Sequence, residues 1–576
     1  MQEAEAVIVP DEDAASNKKT KTPEPVHVTT MEVVGFDDDG EAFVKGEPQP
    51  PAYKDIWFSR AFYLHLVGVI VTAIVYIPSV FIDTDSNNEE KEGTWSTKST
   101  TDSTFDNSTM VIPLVVILAV LMGGSMVVTL SLIIVMTNHS EKVIYLSFVA
   151  APALLMAWAV VFAVLGGTEG LELGIHFGFY ALFFAAISAC VYRAYKSKIP
   201  FAASTLQAAL EALQVNRGLI FLSMGSLALA FSWSGLWITT MMGIFAAADA
   251  KGKVSCLDLY PTETDVYNRS DMCDVHPPNV LAIMFLILSF YWTHQVIKNC
   301  MHCTTAGTVG SWWFNGFGDP SLCSGDVSDS LSRTLTFSFG SICFGSLVVA
   351  ILQLLENMAR SARRNRNGQL LACLLECILA CVRQWVEYFN SWAFVYVALY
   401  GYDYRTAGKN VMTLFKNRGW SSFVADRLVF RVLYSTNLVV GIFCGGIAAG
   451  ADLIIGPIFP ADNTSGEPNF NPAEGSHITC FYIGALVGLV TSSVALFVME
   501  SAVRAVIVCF AESPAEFQEH HPHLCELMRN GWAAAYPDIW NEGDYEERFV
   551  KATVISYDEE VHPAYTDDPL HSKSST

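Results

Sequence analysis

Charge of either sign is scarce between Ala61 and Phe510, and the motifs of soluble enzymes are missing from the whole chain. Only 16% of the 576 residues are Asp, Glu, Lys or Arg, against 52% hydrophobic residues, which excludes an ordinary soluble globular domain. No Gly loop followed by Lys-Ser/Thr, no Gly-x-Ser-x-Gly elbow and no His-Glu-x-x-His occurs. ATP-driven pumping and metallohydrolysis are therefore not expected, no cofactor is implied, and the chain reads as a non-enzyme. Basic residues are in deficit, with 34 Lys and Arg against 57 Asp and Glu and a net charge of -23. Nucleic acid is thus not an expected partner. The opening MQEAEAVIVPDEDAASNKK has neither the basic n-region nor the apolar h-region of a signal peptide, so the first span should act as an uncleaved anchor.

The acidity is concentrated at the ends. Before Ala61 there are 13 acidic residues against 6 basic ones, and after Phe510 there are 14 against 4. Three regions follow from this: a cytoplasmic acidic tail over 1–60, a multipass domain over 61–510 and a second cytoplasmic acidic tail over 511–576. The first is rich in Pro, Glu, Asp and Thr without sustained periodicity, and both tails are expected to be disordered.

What the middle does have is apolar length. Spans are expected at Ala61–Ile82, Met110–Met136, Val143–Leu165, Leu171–Tyr192, Leu219–Ala247, Val280–Ile297, Leu335–Leu355, Leu370–Tyr400, Leu428–Ile458 and Ile478–Phe510. Each matches the roughly 20 residues that cross a bilayer core of about 30 Å. The fold class is all-α, a polytopic bundle of about ten transmembrane helices in contact with membrane lipid. Paired glycines such as Gly441 with Gly445 and Gly484 with Gly488 predict closely approaching helices, or else a hinge.

Orientation follows from basic residues near span ends. Arg193, Lys196, Lys198 and Arg217, and separately Arg405, Lys409, Lys416 and Arg418, predict cytoplasmic loops. The acceptor patterns at Asn107, Asn268 and Asn463 then fall outside, while Asn138-His139-Ser140 stays inside. Cys256 and Cys273 share the loop that holds Asn268 and are expected to form a disulfide there. Ten simple crossings place the basic run Arg360, Arg363, Arg364 and Arg366 outside, against the positive-inside bias. An extra crossing by Thr304 to Phe317, with Leu370 to Tyr400 as a re-entrant or broken pair, would remove the conflict.

Several polar or aromatic residues sit within spans. Trp312, Trp313 and Phe314 end a run of small and hydroxylated residues and offer rings to a cation that cannot donate hydrogen bonds, although an interfacial aromatic belt is the plainer reading. Trp233 and Trp237, at i and i+4, share one helical face, and Tyr291 and Trp292 are placed to meet them. His176 and His294 are either hydrogen-bonded structural groups or a proton relay. Glu500 and Arg504, again four apart, are expected to pair.

At these residues the chain resembles the choline transporter-like family, in particular its shorter fungal, plant and protist members. Thr304 to Phe314 (TTAGTVGSWWF), Phe339 to Ile351 (FGSICFGSLVVAI) and Tyr388 to Trp420 (YFNSWAFVYVALYGYDYRTAGKNVMTLFKNRGW) form the match. In the third block Phe389, Asn390, Ala393, Phe394, Ala398, Gly401, Ala407, Gly408 and Leu414 occupy the family's pattern. The resemblance implies a plasma-membrane or organellar multipass protein with cytoplasmic ends that moves choline or a related amine without ATP. Asp83 to Thr109 departs from the long Cys-rich loop of animal members, and choline as cargo is inferred from those members. The expected site comprises Trp312, Trp313, Phe314, Trp233, Trp237, Tyr291 and Trp292 around a small organic cation, with Asn390 holding a broken-helix backbone. Plasma membrane is the expected location, and protein partners are not legible. The alternatives are a non-transporting scaffold or receptor that recruits partners through its tails, and a transporter of a different amine or lipid-related solute.

Overall fold

Lipid offers no hydrogen-bond partner to a peptide group, so a chain this apolar satisfies its backbone within helices. The computed structural model describes residues 33–36, 42–44, 46, 48–79, 107–165, 167–259, 280–316, 325–363, 369–417, 423–455 and 472–537. Each of the ten expected spans is a helix: α1 (Ile56–Tyr76), α2 (Asn107–Asn138), α3 (Ser140–Leu165), α4 (Gly167–Tyr195), α6 (Gly218–Leu259), α7 (Val280–Asn315), α9 (Phe339–Arg363), α10 (Gln369–Tyr400), α12 (Phe423–Ile455) and α13 (Pro472–Glu512). Among the described residues, eight stretches are long and apolar enough to cross a membrane by length and composition. Their outer faces remain apolar, with Ile70, Ile74, Phe179, Phe183, Phe221 and Ile238 all exposed, as suits contact with acyl chains. The chain is an all-α multipass membrane bundle.

Shorter elements fill the connections. These are α5 (Ile199–Val215), α8 (Gly325–Leu335), α11 (Tyr404–Asn417), α14 (Pro514–His520) and α15 (Pro522–Ala535), with a small antiparallel hairpin of β1 (Val33–Phe36) and β2 (Ala42–Val44). Helices α14 and α15 fall within the region expected to be a disordered tail. Phe517, Leu524, Cys525, Met528 and Trp532 along them are buried, and Trp532 meets Phe201 of α5 at 5.1 Å, so apolar burial offsets their ordering. The remainder of that tail and residues 1–32 lie outside the described residues. So do Asn268, Asn463 and Cys273, and the side chains of Asn107 and Cys256.

The proposed extra crossing does not form. Helix α7 runs unbroken from Val280 to Asn315, about 54 Å at 1.5 Å per residue. Its run of hydroxylated residues stays helical because each hydroxyl donates back to a carbonyl one turn earlier: Thr304 to Cys300 at 2.8 Å, Thr305 to Met301 at 2.8 Å and Thr308 to Thr304 at 2.9 Å. Helix α10 is likewise continuous through Asn390. The ends of the bundle are identified by their contacts. Gly46 N–H reaches Glu512 at 2.6 Å, Gln49 N–H reaches the Tyr400 carbonyl at 2.7 Å and Lys54 N–H reaches the Phe337 carbonyl at 3.0 Å. The starts of α1 and α9 and the ends of α10 and α13 therefore share one end with the described N-terminal segment.

Arg360 and Arg363 close the α9–α10 hairpin, about 30–36 Å from the start of α9 by helical rise. Their charge is met locally. Arg360 pairs with Glu356 at 3.1 Å and Glu376 at 3.0 Å, Arg363 with Glu376 at 3.3 Å, and Arg383 with Glu356 at 2.8 Å and Glu387 at 3.0 Å. Arg360 and Arg363 thus sit at the end opposite the described N-terminal segment with facing glutamates to match them, while Arg364 and Arg366 lie outside the described residues.

Glycines set the closest helix pair. A Cβ on Gly488 would stand 2.7 Å from the Cys444 Cβ, and one on Gly484 would stand 2.5 Å from the Ala448 Cβ, whereas Gly178 faces open space. Gly488→Val should cost about 1–3 kcal/mol by overpacking and lower the melting temperature of the detergent-purified protein by several degrees. Gly178→Ala should leave it unchanged, and equal melting curves for all three proteins would contradict this packing.

Candidate substrate site

Helix α1 places His65 ten residues beyond Asp55, about 15 Å into the bundle and so near the middle of a bilayer core of about 30 Å. Its Nε2 lies 2.8 Å from Ser289 Oγ of α7 and its Nδ1 3.2 Å from the Phe62 carbonyl. Around this imidazole stand the rings of Trp292 at 4.8 Å, Phe285 at 5.9 Å and Trp233 at 6.5 Å. Phe62 meets Trp292 edge to face at 5.2 Å and Phe339 at 5.7 Å. Three helices, α1, α6 and α7, therefore contribute rings to this cluster, and Phe339 at the start of α9 borders it from the terminus end.

Two hydrogen bonds fix the indoles. Trp292 donates Nε1–H to the Cys343 carbonyl at 3.1 Å, and Trp237 to the Leu286 carbonyl at 2.8 Å. The Trp233 Nε1 and Thr293 Oγ1 atoms are buried without a hydrogen-bond partner among the described residues. A buried polar group without a partner is costly, and both lie in this region of α6 and α7. Tyr291 turns to α9, where its hydroxyl accepts from Asn357 Nδ2. Of the four residues expected to face one another across α6 and α7, Trp233 and Trp292 both meet the His65 ring, whereas Trp237 packs on Phe290 and Tyr291 faces α9. His294 is held by the Phe290 carbonyl at 2.8 Å and Ser234 Oγ at 3.1 Å.

A polar layer lies nearer the terminus end. Asn390 of α10 donates to the Gly345 carbonyl of α9 at 2.9 Å and accepts from the Tyr404 hydroxyl. It therefore ties three continuous helices rather than holding a broken one. Asn299 donates to Ser346 Oγ at 2.9 Å. His302 is buried between Ser501 Oγ of α13 at 2.8 Å and the Ser391 carbonyl of α10 at 2.7 Å. One helix away, Arg504 pairs with Glu500 at 2.5 Å, as their spacing predicts.

Trp312, Trp313 and Phe314 stand elsewhere. Trp312 is 20 residues beyond Trp292, about 30 Å along the same helix, so these two sets of rings cannot enclose one small solute. Trp313 is fully buried, stacked on Phe517 at 3.8 Å and 6°, with its Nε1 donating to the Ser513 carbonyl at 3.0 Å. Trp312 packs on His521 at 4.1 Å and Phe517 at 5.8 Å. The half-buried Phe314 borders the same core. These aromatics clamp the end of α7 to α14 and α15.

Sequence reasoning missed Phe62, His65, Phe285, Ser289 and Phe339. His65 had a visible signal, an imidazole inside an otherwise apolar span, the same feature that marks His176 and His294. The phenylalanines had none, since Phe is common in lipid-facing helices.

The fold defines the class: a polytopic membrane protein with polar and aromatic groups buried among its helices. The sequence pattern of a family described as plasma-membrane choline transporter matches residues 179–515. The chain belongs to the choline transporter-like family. It is 26% identical over 506 residues to a CTL-like protein of Dictyostelium discoideum, covering 86% of this chain and 77% of that protein. It is 28% identical over 368 residues to the protein PNS1 of Neurospora crassa and 24% over 371 residues to that of Saccharomyces cerevisiae. Those alignments cover 63% of this chain in each case, and 61% and 64% of the two fungal proteins, less than two thirds of their length.

The clamp on α14 should respond to pH. Burial holds the His521 imidazole below its usual range, and nearby His520 adds to this, while the bond from Nε2–H to the Trp312 carbonyl at 3.2 Å acts the other way. With the folded value depressed, the clamp has its full stability above the unfolded value of about 6.5 and loses it as pH falls below that. The protection factors of amides in 514–535, taken relative to the intrinsic exchange rate at each pH, should fall as pH drops from about 7.5 to 5.5, and His521→Gln should flatten the profile. An unchanged profile in that variant would contradict the role of His521.

Proposed function

We propose that this protein carries choline or a similar small organic cation across a membrane, without ATP and without chemical change to the solute. Family membership supports a transporter, and the mid-membrane ring cluster supports the type of cargo. A quaternary ammonium group has no N–H to donate, so it is selected by aromatic faces and an apolar wall. Phe62, His65, Trp233, Phe285 and Trp292 provide such faces at the depth where transporters bind their solutes. Trp237 and Tyr291 brace this wall through the Leu286 carbonyl and Asn357. A monovalent cation is drawn toward a negative interior by about 2.3 kcal/mol per 100 mV, enough to drive uptake.

In this reading the terminus end of the bundle is cytoplasmic and the plasma membrane is the site of action. The basic residues Arg193, Lys196, Lys198 and Arg405 lie at that end, in keeping with the positive-inside bias. The ends of α6 and α12 and the starts of α7 and α13 then face outward, the side that glycosylation at Asn268 and Asn463 requires.

Radiolabelled choline uptake in a choline-transport-deficient cell tests this reading. The chain should restore saturable uptake, and Trp292→Ala at equal surface abundance should lower its efficiency about tenfold, matching a desolvated cation–π contact of about 1–2 kcal/mol. Trp313→Ala should lower surface abundance instead, with uptake per molecule retained. Uptake no higher than in empty cells would remove choline as cargo, and full uptake by Trp292→Ala would remove the ring cluster as the site.

A further inference from the structure

The described part of the N-terminal segment is bound across the end of the bundle at both of its ends. Glu512, the last residue of α13, is buried and accepts Gly46 N–H at 2.6 Å on Oε1 and the Tyr400 hydroxyl at 2.7 Å on Oε2. Nine residues later, one oxygen of Asp55 accepts Ser341 Oγ of α9 at 2.6 Å and the first amide of α11, Tyr404 N–H, at 3.1 Å. Between these points Gln49 and Lys54 donate their amides to the Tyr400 and Phe337 carbonyls. Asp55 adopts the left-handed conformation with φ 50° and ψ 38°, which few residues other than Gly, Asn and Asp accept readily. Gly340 lets this backbone approach, since a Cβ there would run into the Lys54 and Asp55 carbonyl oxygens.

Rings lead from the mid-membrane cluster to this point. Phe62 and Phe58 are one turn apart on α1, Phe58 stacks on Phe344 at 4.2 Å, and Phe344 meets Tyr404 at 5.0 Å. Above Phe344 lies the Arg405 guanidinium, 5.9 Å from the ring centroid. The same Tyr404 that gives its amide to Asp55 gives its hydroxyl to Asn390, which holds α9 through Gly345. Release of Asp55 would therefore be felt by the helices that bound the column of rings.

The geometry points to a gate. Gly46 and residues 48–55 form a strap, latched by the carboxylates of Glu512 and Asp55, that closes the terminus-side end of the aromatic column and unlatches when solute passes. This inference rests on the transport reading. Neither carboxylate contacts the proposed solute site, so their role is to position the strap.

The test uses the full chain in proteoliposomes, with hydrogen exchange of the 46–55 peptide and efflux of preloaded choline measured side by side. Asp55→Asn with Glu512→Gln weakens both latches. Gly340→Ala pushes the strap off without altering either carboxylate. Loss of a hydrogen bond to a charged group should raise the opening equilibrium about tenfold to a hundredfold, so exchange at Gln49 and Lys54 should accelerate by at least about tenfold in either variant. Exchange in 494–510 should stay slow, reporting an intact bundle, and choline efflux should rise severalfold. Unaltered exchange over 46–55 overturns the latch whatever the flux. Faster exchange with a measurable but unaltered efflux also overturns it, because the strap then opens without gating. Absence of choline flux from wild type and variants alike counts against the transport reading, and exchange alone then decides the latch.

Discussion

Every polar group placed inside this bundle must find its partner within the chain, because lipid supplies none. That constraint explains features that would be incidental in a soluble protein. The hydroxyls of Thr304, Thr305 and Thr308 return to their own helix, His302 is caught between two neighbouring helices, and Asn390 bridges a carbonyl of α9 and a hydroxyl of α11. It also explains the glutamates opposite Arg360, Arg363 and Arg383. Trp233 Nε1 and Thr293 Oγ1, two of the buried polar atoms without a hydrogen-bond partner among the described residues, lie beside the ring cluster.

Helices pack here without a hydrophobic drive between them, so close approach supplies the attraction. Gly441, Gly484 and Gly488 let α12 and α13 touch backbone to side chain. At the terminus end the means are different. There the aqueous boundary restores the hydrophobic effect, and Trp313 on Phe517, with Trp532 on Phe201, joins α7 and α5 to the helices that follow α13. The same end holds the strap. At the opposite end, α9 and α10 are tied by the ion pairs of Arg360 and Arg363 with Glu356 and Glu376.

Spans were legible in the sequence because an apolar run of fixed length has one physical solution in lipid, and all ten expected segments are helices. Glu500 with Arg504 was legible for the same reason, since i, i+4 spacing places them together. The region Thr304 to Phe317 was misread, because Gly, Ser and Thr suggest irregular backbone in water, whereas inside a bundle back-bonded hydroxyls keep it helical. Trp312 and Trp313 resembled a solute site from local composition, yet their partners Ser513 and Phe517 lie about 200 residues away, beyond any local pattern. The order of 514–535 was concealed by averaging: the acidic residues that follow dominate the composition, and the buried face of Leu524, Cys525, Met528 and Trp532 emerges only once α15 packs against α5. His65 was within reach of the rule applied to His294, but the cage around it depends on three helices coming together.

In the proposed transport, a soft organic cation crosses by way of the buried rings, driven by voltage. Purified protein in liposomes, with an inside-negative potassium diffusion potential, measures this most directly. The account predicts choline accumulation that saturates, rises with the imposed potential and is competed by tetramethylammonium. Accumulation equal to that of protein-free liposomes at every potential would contradict it.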